Sequence, residues 1–142
     1  MRISIIMSAM LLAFGVWGGV SSSQDLKFVE TPSPDPAPAP VMGDAVHGAE
    51  VYEASCTGCH SLDANRVGPA HRGVVGRTAG TAPGFNYSPG LKAAGFTWTP
   101  EKLDEWLTNP QAMIKSARMG FRLSDAKSRA DVIAYLATQK AQ

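Results

Sequence analysis

Three segments of the chain repeat apolar residues at helical spacing, and each carries its own start signal. In the first, Asp44 stands as N-cap before HGAEVYEA, and Gly48 and Tyr52 fall four apart on one face. The second has Thr99 as cap, Pro100 at the first helical position and Glu101 behind it. It sets Leu103, Trp106 and Leu107 on one face and stops at Asn109-Pro110. The third aligns Val132, Ile133, Tyr135 and Leu136 in an apolar stripe, with Ser124 as its expected cap and Gln139-Lys140 as its tail. Between the first two segments lie seven of the fourteen glycines, from Gly68 to Gly95, with no strand-like alternation. Loops that long in a compact domain usually wrap something. The pattern predicts an all-α fold of three main helices with glycine-rich loops around a ligand.

The N-terminal part reads differently. Arg2 is followed by eighteen uncharged residues, ISIIMSAMLLAFGVWGGV. As a signal peptide this is a short basic region and a long apolar one, with small residues Val20 to Ser23 at a cleavage point. As an anchor, the eighteen residues of positions 3 to 20 in helix would reach about 27 Å, just short of the ~30 Å hydrocarbon core. The length favours an anchor; Ser4, Ser8, the three glycines and the small residues after them favour cleavage. Residues 1–22 are therefore expected to be a signal peptide or membrane anchor, and either one exports the remainder. Residues 23–42 follow as a linker, with five of the ten prolines packed between Pro32 and Pro40. Proline at that density gives extended polyproline II and no core. Residues 43–142 form the globular domain.

Composition narrows the function by exclusion. The chain has 142 residues, 44% of them hydrophobic, enough for one packed domain and too many for wholesale disorder. A formal charge of +1 lacks the basic excess of a nucleic-acid binder. Two cysteines exclude a disulfide scaffold.

Both cysteines lie in Cys56-Thr57-Gly58-Cys59-His60, directly after the first helix. This C-x-x-C-H run is the attachment signature of c-type haem: two thiols three residues apart reach the two vinyl groups of one porphyrin, and the next residue becomes an axial iron ligand. A thioredoxin-type disulfide would sit in a βαβ unit, which is not readable here. A zinc site needs four ligands, and His47 and His71 do not supply the rest at usual spacing. The second axial position is open to Met42 on the linker, Met113 after Asn109-Pro110, or Met119. The irregular stretch around Met119, between two helices, favours it, although methionine is more often apolar filler than ligand.

With these residues in view, the sequence resembles class I cytochrome c over essentially all of residues 43–142. The matching pieces stand in order: Gly48-x-x-x-Tyr52, CTGCH, Gly68-Pro69, Gly73-Val74-Val75-Gly76-Arg77, Gly84-Phe85-Asn86-Tyr87 and Phe96-Thr97-Trp98. Then follow Trp106-Leu107-x-Asn109-Pro110, Met119-Gly120-Phe121 and Ala130-Asp131-Val132-Ile133-Ala134-Tyr135-Leu136. The resemblance implies one haem c on Cys56 and Cys59, with His60 and Met119 as axial ligands. It also implies a Pro69 carbonyl bonded to His60, and Arg77, Tyr87 and Trp98 around the haem propionates. Gly48 would allow a close crossing of the first and last helices, with Tyr52 packed on Tyr135.

The resemblance further implies a monomeric electron carrier of the periplasm, not an enzyme. Its partners would be a cytochrome bc-type complex and a terminal oxidase or periplasmic reductase or dehydrogenase. Lys115, Arg118, Arg122 and Arg72 are expected to ring the haem edge and steer it toward acidic faces. Three departures stand out. Lys115-Ser116-Ala117-Arg118 replaces the family's Pro-Gly-Thr-Lys and is expected to loosen the Met119 segment. Trp106 replaces a tyrosine, so a phenol hydrogen bond to the methionine sulfur is lost. His71 replaces a haem-packing leucine and is expected to be a partly exposed, tolerated change. The change at Lys115 to Ala117 motivates one rival reading, a gas- or peroxide-reactive haem protein with a displaceable Met119; a second rival is a haem subunit dedicated to one dehydrogenase or oxidase complex.

Overall fold

The computed structural model describes residues 42–141. The expected leader and nearly all of the proline-rich linker lie outside the described residues. Five helices form: α1 (Ala45–Ser55), α2 (Pro89–Lys92), α3 (Pro100–Thr108), α4 (Pro110–Met113) and α5 (Ala126–Thr138). The three long ones are the three expected from the sequence. Among the described residues there is no strand, only an isolated bridge between Thr78 and Thr97. The fold is all-α.

Local chemistry sets each boundary. The Asp44 carboxylate accepts the Val46 and His47 amides at 2.8 and 3.4 Å, and the Thr99 hydroxyl accepts the Lys102 amide at 3.3 Å. These caps satisfy amides that have no partner inside the helix. The cap of α5 is Asp125, not Ser124: its carboxylate takes the Ser128 amide at 2.7 Å. Serine and aspartate are both good caps, and sequence alone does not rank adjacent ones. The single turns α2 and α4 were not expected. Each has a side-chain cap, Ser88 or Asn109, followed by proline at the first position.

Helix α1 crosses α5, and Gly48 makes the crossing possible. A Cβ there would stand 2.0 Å from the Asp131 carbonyl oxygen, so any side chain would force the helices apart. Tyr52 and Tyr135 pack at this crossing with ring centroids 5.4 Å apart. The core continues through Val132, Ile133 and Leu136 of α5 to Leu103, Trp106 and Leu107 of α3. Arg129 ties the segment before α5 to α3. Its guanidinium pairs with Asp104 at 2.7 Å and donates to the Leu123 and Ser124 carbonyls at 3.0 and 2.8 Å. No helix among the described residues is long and apolar enough to cross a membrane.

Candidate functional site

The chain continues past α1 in one more tight turn. The Cys59 and His60 amides both donate to the Cys56 carbonyl, at 3.0 and 2.8 Å. That turn places Cys56, Cys59 and His60 on one side, as residues three and four apart require. Cys56 is half-buried and Cys59 exposed. Burial pushes the Cys56 thiol up to about 11.

A cavity of about 430 Å³ opens beside this turn. That volume lies within the ordinary range for cofactor sites. Cys56, Cys59 and His60 line it together with Pro69, His71, Arg77, Tyr87, Trp98 and Met119. Val74, Leu91, Leu103, Leu107, Val132 and Leu136 supply apolar wall. Of the three candidate sulfurs, only Met119 is brought to this cavity. Met113 lies in a surface groove with Glu101, Asp104 and Glu105, and Met42 is 89% exposed ahead of α1.

His60 is fixed from two directions. Its Nδ1 bonds the Pro69 carbonyl oxygen at 2.9 Å, which commits that nitrogen as donor and leaves Nε2 as the one with a free lone pair. Its ring lies against Gly68, where a Cβ would come within 2.0 Å of Cε1. Burial lowers the His60 pKa, and the Pro69 bond opposes this. A neutral imidazole suits a metal ligand.

Met119 is held by Trp106, whose indole Nε1 donates to the Met119 Sδ at 3.1 Å. The phenol hydrogen bond is absent, as expected, and the indole N–H takes its place as donor to the sulfur. The expected loosening of the segment meets four hydrogen bonds. Ala117 N–H donates to Ile114 O at 2.9 Å and Gln111 Nε2 to Ala117 O at 2.9 Å. Gly90 N–H donates to Ser116 Oγ at 3.2 Å and Arg118 Nη1 to Asn86 O at 3.1 Å. A backbone turn, the Gln111 side chain from α4 and the segment's own Ser116 and Arg118 side chains do here what proline and glycine would do by restricting the backbone.

Elsewhere in the cavity lining, the bridge segment sets Arg77 beside Trp98. Trp98 N–H donates to the Arg77 carbonyl at 2.9 Å, and Gly76 N–H to the Trp98 carbonyl at 2.8 Å. The Arg77 Nη atoms bond the Ala70 and Arg72 carbonyls at 2.8 and 3.3 Å, while its Nε is buried without a protein partner. Burial pulls the guanidinium down from its ordinary value and lifts Tyr87. An anionic group in the cavity would offset the cost of the buried guanidinium and accept from Nε.

One sequence expectation about surrounding residues fails, and another proves incomplete. Arg72 does not belong to a cationic rim: it forms a two-pronged pair with Asp63 and does not line the cavity. His71 is partly exposed, as expected, but it also has a partner that the sequence did not show. Its ring stacks on His60 with centroids 4.0 Å apart and planes 20° apart. Burial, with His60 and Arg77 adding to it, lowers His71 to about 3, so it is uncharged at neutral pH.

Two thiols and an imidazole on one turn, beside a largely apolar cavity with a buried arginine in its lining, fit a porphyrin tethered by thioethers. The fold and site define a small c-type haem domain. Comparisons with known proteins agree. The profile of the family described as Cytochrome c matches residues 45–140. Cytochrome c2 of Rhodomicrobium vannielii is 44% identical over 110 residues, covering 75% of this chain and 87% of that protein. The c-type cytochrome cy of Rhodobacter capsulatus is 45% identical over 103 residues, but this chain spans only 52% of its length. The solved cytochrome c2 of Rhodospirillum centenum superposes with a TM-score of 0.65 at 39% identity, over 70% of this chain and 100% of that one. The chain belongs to the cytochrome c family. Its cofactor is haem c, carried on Cys56 and Cys59, and its chemistry is single-electron transfer.

Proposed function

We propose that this protein is a monomeric periplasmic electron shuttle whose haem iron is ligated by His60 and Met119. The observation that carries the ligation is a paired constraint. His60 has its outer nitrogen tied to Pro69, and Met119 has its sulfur tied to Trp106, both facing one cavity. When bound, the haem supplies a one-electron ferric/ferrous couple whose potential is raised by a thioether ligand. The chain's own part is to keep both ligands still and water out. The apolar wall of Leu103, Leu107, Val132 and Leu136 lowers the local dielectric, and Arg77 Nε is placed to take a haem carboxylate with Tyr87 and Trp98 beside it. The four bonds on the Met119 segment favour a fixed ligand over a displaceable one.

Export rests on the N-terminal apolar stretch, which also allows a tether to the inner membrane through residues 3–20. Partners on this reading are a cytochrome bc-type donor and a terminal oxidase or periplasmic reductase or dehydrogenase. Lys115, Arg118 and Arg122 are exposed, and none forms a side-chain ion pair among the described residues. They would steer docking, modestly, because the domain's eleven Lys and Arg against nine Asp and Glu leave only +2. The oxidised native protein should show the near-red charge-transfer band of methionine on ferric iron and bind cyanide slowly. A missing band with rapid cyanide binding overturns the carrier reading. Intact mass reports the added haem and whether the leader remains.

A further inference from the structure

We propose that His71 is a positioning residue that fixes the plane of the His60 imidazole, an inference that rests on His60 being the iron ligand. A hydrogen bond to Pro69 restrains the His60 ring at one corner, and a single bond of this kind still tolerates a range of ring tilt. A flat group laid parallel to the ring narrows that range. His71 is such a group, at 4.0 Å between centroids and 20° between planes. With Gly68 backbone also against the ring, His60 is held by a corner tether, a backbone contact and a facing plane.

The facing plane is itself rigid. The His71 amide donates to the Ser61 carbonyl at 2.9 Å, and its carbonyl accepts from the Val74 amide at 2.8 Å. Arg77 grips the carbonyls on either side, those of Ala70 and Arg72. Tyr52 meets the His71 ring edge-on, with centroids 5.7 Å apart and planes at 61°. An aliphatic side chain would fill the same space without presenting a plane. Groups around a metal site set ligand orientation in this way, and the orientation of an axial imidazole sets the in-plane anisotropy of a low-spin ferric haem.

The test uses the full-length holoprotein as wild type, His71→Leu and His71→Phe, read by electron paramagnetic resonance of the ferric form. The leucine variant should keep the near-red methionine band but show shifted and broadened g-values, from a spread of ring orientations. The phenylalanine variant, which restores a plane, should return toward the narrow wild-type spectrum. Identical spectra for wild type and leucine variant overturn the proposal. Should the leucine variant fail to mature, paramagnetic NMR shifts of the wild type decide: parallel His60 and His71 rings support the proposal, and clearly crossed rings overturn it. A wild type without the methionine band, or with His71 itself on the iron, defeats the ligation reading instead.

Discussion

The indole N–H of Trp106 donates to the thioether sulfur of Met119 across 3.1 Å. Trp106 sits on α3 among buried neighbours, with Trp98 edge-on to it at 5.4 Å, so the donor cannot turn away from the sulfur. Indole differs from phenol in being donor only. The contact therefore has a fixed polarity, drawing electron density from the sulfur and never returning it.

That polarity predicts a direction for the potential. Ferric iron depends more on sulfur donation than ferrous iron does, so a bond that withdraws density favours the reduced state. Trp106→Phe should lower the midpoint potential. A net hydrogen bond of about 0.5–1.5 kcal/mol, at 59 mV per tenfold for one electron, puts the fall at roughly 20–60 mV. Potentiometric titration checks it, and a rise would contradict the argument.

The placement of the two methionines predicts opposite outcomes for two similar substitutions. Met119→Ala should abolish the near-red band and convert the ferric protein to a high-spin form. Met113→Ala removes a side chain from the groove beside Glu101 and Asp104 and should leave the spectrum intact. Optical and spin-state spectra of both variants suffice, and the reverse pattern would move the ligand to Met113.

The helix crossing predicts a stability cost with no spectral signature of its own. Gly48→Ala sets a methyl 2.0 Å from the Asp131 carbonyl and 2.9 Å from the Tyr135 Cβ, neither of which is a flexible tip. Overpacking of this kind costs typically 1–3 kcal/mol, and about 4–8 °C of melting temperature goes with each kcal/mol in a domain this size. The variant should melt about 4–24 °C lower. Calorimetry showing an unchanged melting temperature would mean that the helices separate at no cost.

What the sequence disclosed follows from which features are local. Covalent haem attachment needs its residues within one turn, so Cys56 to His60 were legible without any fold. The long helices were legible through Asp44, Thr99 and the apolar stripe of α5. The single turns at Pro89 and Pro110 carried the same cap-then-proline signal, but at four residues each they read as breaks. The His71 stack was hidden because it depends on two loop segments lying side by side, joined by the Gly68, His71 and Arg72 amides on the Cys59, Ser61 and Leu62 carbonyls. No periodicity announces such a pairing. Arg72 was misplaced for the same reason, since its partner Asp63 lies across that loop pair. Trp106 was visible all along, and attention to its N–H as a donor would have found its role.

Asp131 supplies a prediction in pH. Its side chain is fully buried at the α1–α5 crossing, where it accepts the Asp44 amide at 2.6 Å, pairs with Lys127 and meets His47 Nδ1 at 2.7 Å. The Asp44 amide first, then Lys127 and His47, hold its carboxyl well below the usual range. A depressed folded-state pKa contributes stability that is fully present above the unfolded value of about 3.9 and is lost as pH falls through the folded value. Asp131→Asn keeps the shape but cannot change charge. Denaturant unfolding of the ferric holoprotein should therefore show wild type more stable than the variant at about pH 5. The margin should shrink steadily below that, as the wild-type carboxylate takes up its proton on unfolding. A margin that persists unchanged to pH 3 would mean that shape rather than charge at Asp131 holds the two helices together.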